Sequence, residues 1–223
     1  MKILAFETST ELCSAALWLD GEVEARETLA GQRHSELLLP MIDALLVSNG
    51  FKAADLDCIA FGAGPGSFTG LRIACGVAQG MAFGISVPVV GIGTLLALAA
   101  ASQAERAVCC LDARMGEVYH AAYESRGGDW HVVHEPGLCK PDAAPELPAG
   151  AWTGCGSGFA AYRAALESRY AGRLEHVNDK LVPHAREIAE LAAVEFKRGG
   201  AVSAEYAAPL YVRNKVALRM DER

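Results

Sequence analysis

A strand that runs into a glycine-rich turn and then directly into a helix limits this chain more than any other feature. Residues 56–61 read as a buried strand, Gly62-Ala63-Gly64-Pro65-Gly66-Ser67-Phe68-Thr69-Gly70 as the turn, and a helix follows to about Phe83. Such a unit needs a sheet to lie on, which places the chain among α/β folds. The helix carries Gly76, Gly80 and Gly84 at steps of four. Each glycine costs a helix interior roughly 1 kcal/mol against alanine. Three on one face imply close approach of another backbone, from a neighbouring element or a second protein.

The flanking sequence fills in the layout. Residues 2–6, 13–19 and 23–29 read as three antiparallel strands, with Asp20-Gly21 turning the second into the third. Residues 32–47 change period. Leu38, Met41, Ile42 and Leu45 recur at helical spacing, and Leu37, Leu39 and Leu46 widen the apolar face beyond one stripe. A helix of that kind is buried on more than one side, by its own core or by a partner. Pro40 removes one backbone donor and predicts a kink, and Asn49-Gly50 ends the helix. Residues 87–92 form a further strand, and an Ala/Leu-rich helix begins at Thr94.

After Ser102 the pattern restarts, with strands over 107–111, 118–123 and 130–133. Pro136, Pro141, Pro145 and Pro148 mark 136–150 as an irregular loop. Residues 152–158 are glycine-rich, 159–168 helical, and 183–197 an amphipathic helix with Ile188, Leu191, Ala192 and Val194 inward. The tail from Ala207 to Arg213 is extended. Two related α/β lobes follow from this order, over residues 1–102 and 103–223. The tail after about residue 205 is expected to pack back on the first lobe.

Composition narrows the function classes. With 27 acidic residues against 20 Lys and Arg, the net charge is −7, which disfavours free-standing, non-specific binding to nucleic acid. The most apolar stretch, residues 87–101, is too short for a membrane span and holds Pro88, Gly91 and Gly93. The opening apolar run ends at Glu7, unlike a signal peptide, so a cytoplasmic protein is expected. The seven cysteines lack any C-x-x-C pair and most sit among Ala, Val, Ile and Leu, which reads as reduced, buried thiols. His131 and His134 read as solvated, since no cysteine stands near them to complete a zinc site.

Few residues suggest chemistry. The glycine-rich turn could present backbone N–H groups to an anion. It has no lysine of a Walker loop, and Pro65 and Thr69 occupy the glycine places of a nucleophile elbow around Ser67. Its plainer reading is a tight turn feeding a close-packed helix. Glu7-Thr8-Ser9-Thr10 could face a nucleotide and its metal, or form a polar turn between strands. Ser35 and Glu36 are adjacent, so they diverge on a helix and make no acid–base pair with each other. Asp112 and Arg114 lie at a strand end, where they form either a salt bridge or part of a site, the salt bridge being the plainer reading.

Several of these segments carry a resemblance. Gly64-Pro65-Gly66-Ser67-Phe68-Thr69-Gly70-Leu71-Arg72 resembles the signature of the bacterial TsaB (YeaZ) family. So do Ile3-Leu4-Ala5-Phe6-Glu7-Thr8-Ser9-Thr10, Arg33-His34-Ser35-Glu36-Leu37-Leu38-Leu39-Pro40, Asp112-Ala113-Arg114-Met115-Gly116-Glu117-Val118-Tyr119 and Ala208-Pro209-Leu210-Tyr211-Val212-Arg213. The resemblance implies a two-lobed actin/sugar-kinase/Hsp70-like fold with mixed sheets flanked by helices. It also implies a part in placing threonylcarbamoyl on the adenosine next to the anticodon of tRNAs that read codons beginning with A.

In that family the transfer from threonylcarbamoyl-AMP belongs to a paralogous partner, TsaD, and the ATPase TsaE joins the complex. ATP and a metal are then expected on the partner subunits and none on this chain. Thr94 and Leu98 stand where the partner has two metal-binding histidines, if Pro88 aligns with its proline. Glu7-Thr8-Ser9-Thr10 stands where the wider fold holds ATP phosphates with an Asp-x-Gly-Thr turn, so it reads as a vestigial nucleotide loop. The expected role is a non-catalytic activating subunit that contacts tRNA only through the complex, avoids membranes, and forms homodimers when alone. His34, Leu37, Leu38, Met41, Ile42, Leu45, Leu71, Arg72, Gly76 and Gly80 are the expected partner interface. An ATP-dependent small-molecule kinase of the same fold and a metallopeptidase are the alternatives.

Overall fold

The computed structural model describes residues 1–212. Arg213, the end of the expected extended tail, lies outside them. The first sheet has the order β3-β2-β1-β4-β5, built from β1 (Lys2–Glu7), β2 (Leu12–Leu19), β3 (Glu22–Leu29), β4 (Cys58–Gly64) and β5 (Val89–Gly93). The first three strands are antiparallel, while β4 and β5 run parallel to β1. Strand period explains its two covered faces. Leu4, Phe6, Leu17, Ile59 and Phe61 point to α1 (His34–Ser48) and α2 (Phe68–Ile85), and Ile3, Ala5, Ala16, Cys58 and Ala60 point the other way.

That other face is covered by α6 (Ala185–Lys197), which follows the second sheet in the chain yet packs on the first. Ile188, Ala189, Ala192 and Ala193 are small enough to bring this helix close to the strands. Val194, expected inward, is exposed, and Leu191 is half-buried.

The second sheet has the order β10-β9-β6-β7-β8, from β6 (Arg106–Asp112), β7 (Val118–Arg126), β8 (Asp129–Cys139), β9 (Trp152–Cys155) and β10 (Leu174–Asn178). Between the sheets lies α3 (Thr94–Ala101), with Ala97 in the first core and Leu95, Leu98 and Ala99 in the second. A helix apolar all round fits that double burial.

Several local expectations change. β8 continues through Pro136 and Gly137 to Cys139, because it is an edge strand where a missing N–H breaks no ladder. β9 and β10 were hidden by their glycines and charges. The helix expected over 159–168 is two, α4 (Ser157–Ala161) and α5 (Arg163–Arg169), parted at Tyr162. His134 is not free in solvent: its Nε2 meets the Glu146 carbonyl at 2.8 Å, and its ring lies 5.9 Å from that of buried His120. Pro40 sits inside α1, which runs unbroken in secondary structure from His34 to Ser48.

The helix α2 has the length and mean hydropathy of a membrane span, but its inner side, Ala74, Cys75, Ala78 and Ala82, packs in the first core. Six cysteines are buried and Cys139 is half-buried; all seven are free thiols. Burial pushes Cys13 up to about 11 and Cys58 to about 12, which keeps both protonated at neutral pH.

Candidate functional site

Two surfaces gather the residues singled out by sequence. The first is a cleft of about 1190 Å³ between the lobes. It is lined by Ser9 and Thr10, by Gln32 and His34 at the start of α1, by Pro65 to Leu71, by Asp112 to Met115, and by Leu210 to Val212. Segments far apart in sequence therefore meet here.

The glycine-rich turn is closed against the β1–β2 turn. The Ser67 N–H donates to the Ser9 carbonyl at 2.8 Å, and the Thr8 hydroxyl donates to the Gly70 carbonyl at 2.8 Å. A Cβ on Gly66 would lie 2.5 Å from the Ser9 Cβ, and one on Gly70 would overlap the Thr8 carbonyl oxygen. These glycines are thus required by loop-to-loop packing. The Ser67 hydroxyl caps α2 by accepting from the Gly70 N–H at 3.3 Å. The two turns that sequence offered as phosphate loops are bonded to each other, with Ser9 wedged between.

Glu7 lies behind this junction, fully buried on the α3 and α6 side of the sheet. Its Oε1 accepts from the Ser9 N–H, while its Oε2 has no hydrogen-bond partner among the described residues. A side chain on Gly62 would overlap that oxygen. Burial raises the Glu7 pKa above the ordinary carboxylate value, against the lowering effect of Ser9, Thr8 and Thr94. Thr94, at the start of α3, and Leu98 are both fully buried, Leu98 in the second core.

On the opposite wall Asp112 is structurally employed. It pairs with the Arg114 guanidinium at 3.2 Å, as the sequence suggested, and accepts from the Arg114 N–H at 2.8 Å and the Tyr162 hydroxyl at 3.1 Å. Arg114 and Met115 both have left-handed backbone, with φ of +63° and +57°. His34 is buried, and its Nε2 has no hydrogen-bond partner among the described residues.

The second surface is the outer side of α1 and α2. Leu38, Ile42, Leu45 and Leu71 belong to the chain's own core, which their helical period alone could not reveal. Leu37 and Met41 are half-buried, and Leu39 and Val47 are exposed. On α2, Arg72, Gly76, Gly80 and Gly84 are exposed, with Phe83 80 % exposed beside them. A Cβ built on Gly76, Gly80 or Gly84 meets nothing within 4 Å. No neighbouring element of the described chain therefore requires these glycines.

Sequence reasoning overlooked Phe68 and Tyr211, whose role depends on contacts across 143 positions of chain. The tail runs back along α2: the Leu210 N–H donates to the Ala63 carbonyl at 2.7 Å and the Gln79 amide to the Ala207 carbonyl at 2.9 Å. This brings the Tyr211 ring to 5.7 Å from that of Phe68.

The family model described as "TsaD: tRNA N6-adenosine threonylcarbamoyltransferase" matches residues 26–219. The chain is 38 % identical to the tRNA threonylcarbamoyladenosine biosynthesis protein TsaB of Escherichia coli, over 97 % of this chain and 96 % of the relative. It is also 38 % identical to the protein of the same name from Haemophilus influenzae, over 97 % and 95 %. Among solved structures, YeaZ from Pseudomonas aeruginosa superposes with a TM-score of 0.87 at 37 % identity, covering 94 % of this chain and 99 % of that one.

Proposed function

The chain belongs to the TsaB family and has its two-lobed actin/sugar-kinase/Hsp70-like fold, and from that premise we propose that it takes part in tRNA threonylcarbamoyladenosine biosynthesis as a non-catalytic, cytoplasmic subunit. Its task is to dock on TsaD, which performs the transfer, and to help recruit TsaE; alone it pairs with a second copy. Nucleotide and metal belong to those partners, and tRNA is met only through the complex.

The single observation that carries the docking role is the open ridge of Gly76, Gly80 and Gly84. Three exposed glycines weaken α2 by roughly 1 kcal/mol each and serve no contact in the described chain, which fits a helix reserved for close approach of another. The non-catalytic role is supported by the cleft. Its candidate phosphate loops are bonded to one another, Asp112 is tied up by Arg114 and Tyr162, and Thr94 and Leu98 are sealed inside. A kinase would need the first turn open to phosphate, and a metallopeptidase would need ligands where Thr94 and Leu98 stand.

The test is reconstituted tRNA threonylcarbamoylation with TsaD, TsaE and the adenylate-forming enzyme, with and without this protein. The expected result is modification only when it is present, with no modification or ATP hydrolysis by the chain alone. Equal modification in its absence overturns the reading.

A further inference from the structure

We propose that Arg72 is the polar key of the α1–α2 docking face: a preset guanidinium fork, held by Phe68 and Tyr211, that receives a carboxylate on the partner protein. The inference rests on the docking role proposed above and adds the chemistry that selects the partner.

Three observations carry it. The Arg72 guanidinium lies over the Phe68 ring, 3.6 Å from its centroid, and its Nε donates to the Tyr211 hydroxyl at 3.1 Å. Those two contacts, together with the packing of Tyr211 against Phe68, fix the plane of a side chain that is otherwise among the most mobile. Second, both Nη groups of Arg72 are without a hydrogen bond or ion pair among the described residues, while its Nε and its face are engaged by Tyr211 and Phe68. A planar fork with both arms free matches a carboxylate two bonds at a time, which a lysine cannot do.

Third, the position is unfavourable for the chain itself. Arg72 lies in the second turn of α2, near the positive end of the helix dipole, where a cation gains nothing locally. It is also four residues before Gly76 on the ridge Phe68–Arg72–Gly76–Gly80–Gly84, so it stands at the end of the surface proposed for close helix contact. That continuity favours a protein carboxylate over an RNA phosphate. An aromatic–arginine cluster beside a flat apolar strip is the composition of a binding hot spot.

The test measures association of the full chain with purified TsaD by surface plasmon resonance, beside thermal melts of each variant alone. Arg72→Lys keeps the charge but loses the fork, and Tyr211→Phe keeps the ring but loses the hydroxyl that accepts from Nε. The expected results are about tenfold weaker binding or more for Arg72→Lys, mostly in dissociation rate, and about threefold for Tyr211→Phe, with unchanged melting of the isolated variants. Restoration by a second positive charge elsewhere on the face, or wild-type affinity for Arg72→Lys, overturns the proposal while leaving the docking role intact. So does a loss confined to binding of tRNA. A wild-type chain that does not bind TsaD overturns both.

Discussion

Replacing Gly76 and Gly80 together by alanine should stabilise the isolated chain while weakening its complexes. Both positions lie inside an 18-residue helix, neither has a left-handed backbone, and a Cβ on either meets nothing within 4 Å. The only terms left in the free chain are backbone entropy and helix propensity, worth about 0.8–1 kcal/mol per site. The double variant should therefore gain about 2 kcal/mol. For a chain of this size that is about 4–8 °C in melting temperature.

The measurement is calorimetry at low micromolar concentration, with sedimentation velocity to establish that the species melted is monomeric. A dimer would mix the loss of association into the melt. The complex should respond in the opposite sense, since two methyl groups hold the partner helix away from a ridge built for backbone contact. An unchanged or lower melting temperature for the monomer would show that the glycines serve the chain itself. A higher melting temperature with undiminished association would refute the inference that another backbone approaches there.

Other expectations concern the interior. Gly70→Ala places a methyl group on the Thr8 carbonyl oxygen and should cost about 2–3 kcal/mol in urea unfolding; a variant as stable as the parent would mean the two turns can part freely. His120 is pushed down to about 4, first by burial and then by His134. Its neutral form is favoured in the fold, so its contribution is complete above pH 6.5 and is lost as pH falls towards 4, about 3 kcal/mol in all. His120→Phe should flatten that part of the pH–stability curve between pH 7 and 4.5, and identical slopes would count against it. Glu7 has the opposite sign: its raised pKa makes the fold lose stability as pH rises above 4.5 towards the folded value. Glu7→Gln keeps the acceptor for the Ser9 N–H and should stabilise the chain more at pH 8 than at pH 5, which denaturant midpoints at the two pH values decide.

What sequence made legible follows the range of the forces involved. The β–turn–α unit, the antiparallel opening and α1 to α3 could be read because period and turn chemistry act within a few residues. The burial of most of the free thiols was equally readable from their apolar neighbours. The strand β10, the short mixed segment Leu174–Asn178, carries no such signal; only its pairing with β9 makes it a strand. The same holds for α6, whose apolar face was plain but whose choice of sheet was not.

The candidate site divides along the same line. That α1 is too apolar for one face was visible, but which leucines turn inward depended on β2 lying beneath it. Leu38, Ile42 and Leu45 are consumed there, and Leu39 and Val47 are left outside. The glycine ridge was visible as an anomaly, and the structure supplies the step that sequence lacked: among the described residues nothing approaches it. Glycines 66 and 70 looked much the same in sequence, yet they are spent on Ser9 and Thr8. One glycine-rich segment thus contains two different uses of the missing side chain. Gly66 and Gly70 bring two loops of one chain together, while Gly76, Gly80 and Gly84 keep a surface clear for something outside it. Spacing alone cannot separate those uses. The distance from each absent Cβ to its nearest neighbour does, and it places the chain's own closure at the start of α2 and its open contact surface along the rest.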